Sequence, residues 1–281
     1  MRRSALVLAA HGSRVDPRTN QALAELAERV AARRLFDEVA VAFHQGNPTF
    51  AEVLDELSSE ETVVVPVMTS AGHYCDEVLP RELAKNRRFA QVQVRQTPPV
   101  GLHRGLPDLV DSRARNLAAG HRLDPARTAL AVVGHGTARN AKSRLAAEAL
   151  ADSLSAGGVW GQVLIAFLDE EPGVETILPR ATQANVLVMP FLVSGGPHVT
   201  VDIPTRLGID RLVISTLPAA MNREGGTLVL DRAIGSDEGM LEIVLDLGMR
   251  GRAAFRTRSA SDGSDPALAL GVRNEVVEVF R

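Results

Sequence analysis

The sequence predicts an α/β fold: two tandem homologous three-layer domains, each with a mostly parallel four-stranded sheet. Three observations lead there. The chain repeats itself: "ALVLAAHGSR" at 5–14 returns as "ALAVVGHGTAR" at 129–139, "VAVAFHQGNP" at 39–48 as "VLIAFLDEEP" at 163–172, and "VVVPVMTSAGHYCDEVLPREL" at 63–83 as "VLVMPFLVSGGPHVTVDIPTRL" at 186–207. The matched histidines and prolines lie 124 or 125 positions apart, so one unit has been duplicated. Within each copy, short β-branched runs alternate with amphipathic stretches. Those runs are apolar throughout rather than at every second residue, the pattern of parallel strands covered on both faces.

Taken in order, the first copy places strands near 5–10, 38–43, 62–68 and 91–96, with helices between them. Asp16 and Pro17 supply a cap and a first-turn proline to a helix whose Leu23, Leu26, Ala27 and Val30 recur at helical spacing. The second copy repeats the strands near 129–134, 162–167, 185–193 and 227–231, with a longer last connection, "LPAAMNREGG", at 217–226. The copies meet in "AAGHRLDPAR" at 118–127, where Gly120 ends a helix and Asp124-Pro125 opens a turn. This gives repeats over 1–123 and 124–256. After Phe255 the polar, small-residue run "RTRSASDGSDP" reads as a linker, so 257–281 is expected to be linker and tail.

Composition narrows the function. At 281 residues and 45% hydrophobic, the chain can bury a normal core. Its net charge of −3 is spread over mixed signs with no basic block, which argues against nucleic acid as a partner. The single cysteine, Cys75, excludes an internal disulfide and a thiolate zinc cage, and fits a reducing cytoplasm. "MRRSALVLAAHGSR" resembles a signal peptide only superficially, because its apolar run stops at Ala10; it is read as the first strand. No run reaches the roughly 18 apolar residues of a membrane span, so a soluble, cytoplasmic protein, monomer or homo-oligomer, is expected.

The histidines carry the chemistry. In an open α/β sheet, ligands collect where strands end and loops lead into helices. His11 and His135 end the first strand of their copies, and His73 and His198 follow the third. Strands one and three can be neighbours in such a sheet, which would let the two imidazoles of a copy meet on one metal ion. A lone histidine at a strand end is ordinarily a loop or packing residue, but packing rarely demands that histidine be repeated among glycines. His103 and His121 have no counterparts and read as solvated; His44, beside the end of strand two, reads as an auxiliary ligand. Imidazoles without thiolates make a weak, open site for divalent cobalt, nickel, iron or zinc. The end of strand two adds Asp169, Glu170 and Glu171 in the second copy, where the first has Gln45. A carboxylate there completes coordination or accepts a proton; as the alternative, an acidic helix start favours the dipole. Asp202 and Glu77 are placed to cap or to orient a histidine.

"HGS" after strand one, "AF" and a proline after strand two, and "GGPHVTVDIPTRLG" resemble the class II tetrapyrrole chelatases of the CbiX/SirB type, over about residues 1–256. "DRAIGSDEGM" and "TPPVGLHRGL" resemble that family's glycine loop after strand four. The resemblance implies insertion of a divalent metal, cobalt first with iron or nickel as alternatives, into sirohydrochlorin or a related tetrapyrrole. In it the metal is a substrate and no nucleotide takes part, in keeping with the lack of a "GxxxxGK[ST]" run. It maps metal-binding and catalytic roles onto His11, His73, His135 and His198, and a catalytic carboxylate onto Asp169; Gln45 and Thr137 are departures from its pattern. Arg14, Arg81, Arg139, Lys142 and Arg206 lie near the motifs and could receive the carboxylates of the macrocycle. Two rival readings remain: a noncatalytic metal or tetrapyrrole carrier, and a hydrolase using His11 and Ser13, which lacks an acid-His-Ser arrangement at usable spacing.

Overall fold

The structure is a computed structural model that describes residues 2–14, 17–137, 140–209 and 216–261. The elements in chain order are β1 (Ser4–Gly12), α1 (Pro17–Ala32), β2 (Glu38–Gln45), β3 (Glu61–Pro66), α2 (Leu79–Leu83), β4 (Gln93–Gln96), α3 (Leu106–Gly120), β5 (Thr128–Gly134), α4 (Lys142–Ala156), β6 (Gln162–Phe167), α5 (Ile177–Arg180), β7 (Asn185–Pro190), α6 (Ile203–Arg206), β8 (Ala219–Arg223), β9 (Gly226–Leu230) and α7 (Met240–Ser261). One sheet has the order β2-β1-β3-β4 and is parallel throughout; the other has the order β6-β5-β7-β9-β8. Strands one and three of each copy are therefore neighbours, with Ala9 facing Pro66 and Val133 facing Pro190 in register.

Position in the sheet explains the composition of each strand. β1 and β5 are central, and Ala5–Ala9 and Ala129–Val133 are completely buried. The edge strand β4, "QVRQ", is polar and partly exposed. β3 and β7 end at Pro66 and Pro190, earlier than the apolar runs suggest, because proline has no N–H to continue the ladder. Val67, Phe191 and Leu192 stay buried beyond those ends, so the apolar run continues as core without continuing as strand.

The second sheet has a fifth strand that the sequence reading took for part of a long connection. β8 pairs antiparallel with β9 across the two-residue turn Glu224-Gly225, with Gly225 at φ 76°. Its residues alternate between half-buried and exposed, as a short edge strand does.

The chain forms two compact units that differ from the sequence repeats. One comprises Met1–Arg104 with Met240–Arg281, the other Gly105–Gly239. The expected boundary at 123/124 separates the repeats, whereas the units divide just before the last helix of each repeat. In the first unit α7 lies on the β1–β3 face: a Cβ at Gly251 would stand 2.6 Å from Val63, and one at Gly248 would stand 3.0 Å from Leu6. Glycine lets this helix come that close. In the second unit α3 is fastened by Trp160, whose indole N–H donates to Asp111 at 2.8 Å, and by the buried Arg113, 2.6 Å from Asp231. α7 also runs through Ser261, taking in residues 257–261 of the segment expected as linker; 262–281 lie outside the described residues. Asp16 of the expected helix start lies outside them too.

Candidate functional site

Both units place histidines at the carboxyl edge of the sheet, and the local folding is shared. β1 and β5 each end in His-Gly, with Gly12 at φ 69° and Gly136 at φ 71°, a left-handed conformation that suits glycine. A Cβ at Gly12 would also meet the Gln45 carbonyl oxygen at 2.6 Å. This turn lets the ring nitrogen Nδ1 of His11 donate to the Gly12 carbonyl at 3.0 Å, and that of His135 to the Gly136 carbonyl at 2.9 Å. A carbonyl only accepts, so both imidazoles carry their proton on Nδ1 and leave the Nε2 lone pair available.

After β7, a π-helical turn spans His198–Asp202. It sets His198 Nδ1 2.7 Å from the Asp202 carboxylate, which orients the ring as the sequence spacing suggests. After β3, the matching turn Tyr74–Val78 follows His73, whose Nδ1 lies 3.1 Å from Glu77. Each of these π-helical turns presents an imidazole beside a carboxylate four positions on.

The units differ in what converges. In the second, the His135 and His198 rings stand edge to face with centroids 4.9 Å apart. Asp169 lies 3.3 Å from His135 Nδ1. Its neighbours are spent on structure: Glu170 accepts from the Thr137 N–H at 2.5 Å and pairs with Arg144, and Glu171 accepts from the Gly173 N–H at 3.0 Å. Of the acidic run, only Asp169 meets a histidine.

In the first unit the rings that gather are His11, His44 and Tyr74. His11 is 5.3 Å from His44 and 4.5 Å from Tyr74, while His44 is 5.0 Å from Tyr74 and 6.2 Å from Phe50. His73 touches Tyr74 at 5.6 Å, and among the described residues it makes no ring contact with His11. His44 and Tyr74 are thus the rings that stand against His11. Burial, and then repulsion from His11 whenever that ring is protonated, hold the His44 imidazole below its ordinary pKa. Tyr74 was missed in the sequence; it is the only tyrosine, follows His73 directly, and takes the place of Val199 in the other copy.

Other candidates resolve individually. His103 is half-buried and paired rather than freely solvated, 2.8 Å from Asp246 on α7. Arg206 donates to the Leu168 carbonyl at 2.5 Å, Arg81 lies 3.3 Å from Glu82, and Arg14 is exposed. Arg139 lies outside the described residues. Among the described residues no three His, Cys, Asp or Glu side chains are grouped so as to hold an ion together. No helix among them is long and apolar enough to cross a membrane.

Doubled parallel sheets with imidazoles at the tips of adjacent strands define a chelatase-like protein. The match to the CbiX family model covers 5–117 and 129–247, and the chain belongs to that family. It is 31% identical over 262 residues to a probable sirohydrochlorin cobaltochelatase of Halobacterium salinarum, covering 86% of this chain and 89% of that one. Among solved structures it resembles a multi-domain Deinococcus radiodurans protein with structural similarity to chelatases, at TM-score 0.73 and 25% identity, covering 90% of this chain and 56% of that one. It shares its fold with the sirohydrochlorin chelatase SirB of Bacillus subtilis in complex with cobalt, at TM-score 0.67 and 16% identity over 91% of this chain and 98% of that one.

Proposed function

We propose that the protein inserts a divalent metal ion, cobalt in the first instance, into sirohydrochlorin or a closely related tetrapyrrole without using a nucleotide, and that His135, His198 and Asp169 carry the insertion. The observation behind this is the pair of rings 4.9 Å apart whose Nδ1 atoms are both taken up by oxygen acceptors. Two Nε2 lone pairs are then left for one ion, in a site open enough to give it up. Names of relatives support the tetrapyrrole and the preference for cobalt.

The residues divide the work. His135 and His198 hold the incoming ion at the strand tips, and pyrrole nitrogens replace them one at a time. Entry of a dication into the macrocycle releases two N–H protons. Asp169, side-chain exposed and next to His135, accepts a proton at its carboxylate and passes it to water, then does so again. His11 and His73 are given no part in insertion, since Gln45 leaves the first unit without the corresponding base.

The test is the visible spectrum of sirohydrochlorin mixed with Co²⁺ and purified protein. Insertion faster than the protein-free control is expected, with His135→Ala and His198→Ala each abolishing the gain. Asp169→Asn should slow the reaction by roughly 100-fold while Co²⁺ binding persists. A rate equal to the protein-free control would leave a carrier and overturn the reading. A higher kcat/KM with Fe²⁺ or Ni²⁺ would reassign the metal.

A further inference from the structure

We propose that the outer edge of β2 in the first unit docks an extended segment of a partner protein, made of small apolar residues flanked by lysine or arginine, which adds to the sheet as a further strand. β2 is an edge strand, paired on one side only, with β1. Its carboxyl end is closed: Phe43 donates its N–H to the Pro48 carbonyl at 2.9 Å and accepts from the Phe50 N–H at 3.1 Å. Backbone groups alternate sides along a strand, so Val41 and Val39 direct theirs the same way, away from β1. Among the described residues no hydrogen bond reaches them from that side. They open instead on a groove of about 510 Å³. Ala24, Ala27 and Ala31 line it on the α1 side and, being short, leave room for a strand.

The second unit treats the equivalent edge differently. Gln162 and Thr182 there repeat the contact of Glu38 with Ser58, so the two edges begin alike. Arg180 of α5 then donates to the outward carbonyl of Ile165 at 2.9 Å. The residue matching Ile165 is Val41, and the one matching Arg180 is Glu56, 124 positions earlier in each case. A carboxylate cannot donate to a carbonyl, so the first unit lacks this cap. Exposed strand edges are ordinarily blunted, and one that is not is suited to pairing with another strand. Charge at the groove decides the occupant. Glu28 and Glu56 line it and are exposed, Glu38 is held by Ser58 and Ser59, and no lining residue is basic. A second copy joined β2 to β2 would bring these same carboxylates together, whereas a segment with lysine or arginine at its ends neutralises them.

The probe is a capped heptapeptide of alternating alanine and valine with lysine at both ends, titrated into the full chain and followed by calorimetry and amide exchange. Saturable binding is expected below about 1 mM, with exchange slowed at Val39 and Val41 and unchanged at Val163 and Ile165. Glu56→Arg, which installs the cap of the second unit, should weaken binding roughly tenfold. The same peptide with glutamate at its ends should not bind, for want of complementary charge. Nor should a version N-methylated throughout its interior, which has no donors for a ladder. Either of these binding as tightly as the lysine peptide overturns the proposal. So does unchanged affinity in folded Glu56→Arg, protection at β6 in place of β2, or no binding at about 1 mM. Should Glu56→Arg fail to fold, the N-methylated peptide decides on the unsubstituted protein. Concentration-dependent sedimentation with Val39 and Val41 already protected in the absence of peptide would make a second copy the occupant, and the proposal would fail.

Discussion

Single side chains do several different jobs at the strand edges, and the two units assign them differently. The repeat made the four histidines legible, but only coordinates reveal that Tyr74 and His44 stand against His11. The alternation of sequence does not fix which of two neighbouring residues at a strand end turns toward the adjacent strand. Asp169 was legible from its pairing with Gln45, whereas Glu170 and Glu171 were not separable from it until Arg144, Thr137 and Gly173 were seen to engage them. Away from the site, Glu38 shows how one carboxylate secures the entry to β2. Burial alone would raise its pKa, but the hydroxyls and N–H groups of Ser58 and Ser59 donate to it and hold it at about 2. A carboxyl depressed this way stabilises the fold fully above its unfolded pKa, near 4.5, and loses that contribution as pH falls toward 2. Denaturant unfolding from pH 7 to 2 should therefore reveal roughly 1–3 kcal/mol of stability that titrates away below pH 4.5. In Glu38→Gln that acid-dependent part should be missing.

At the scale of elements, the strands were readable because their apolar runs are continuous. The departures have local causes. Prolines end β3 and β7, and β8 was missed because an edge strand of five residues with alternating exposure carries little apolar signal. The placement of α3 was not legible at all, since its buried face, Leu106, Val110, Ala114 and Ala118, would suit either sheet. Arg113 on the same helix makes the choice specific. It is 2.6 Å from Asp231, 3.4 Å from Asp237, and donates to the carbonyls of Arg232 and Ala233 at the end of β9. Asp231 is 1% exposed. Arg113→Ala should thus strand a buried carboxylate and cost about 3–5 kcal/mol, measurable as a fall in the denaturation midpoint. If stability is unchanged, the helix is held by its apolar face alone.

For the whole molecule, duplication was evident from the repeats, yet the compact units are not the repeats. The second unit is a single stretch, 105–239, while the first needs residues from both sides of it. A chain ending at Gly239 should therefore keep the second unit, with slow amide exchange in β5, β6, β7 and β9. Without α7 over Leu6 and Val63, β1 to β4 should lose their protection. Equal protection of both sheets in the truncated chain would mean that α7 is dispensable. The same arrangement sets a timetable during synthesis, when domains generally fold as they emerge from the ribosome. The half translated later can close on itself first, and the half translated earlier waits for its final helix, its hydrophobic sheet open to chaperones in the meantime.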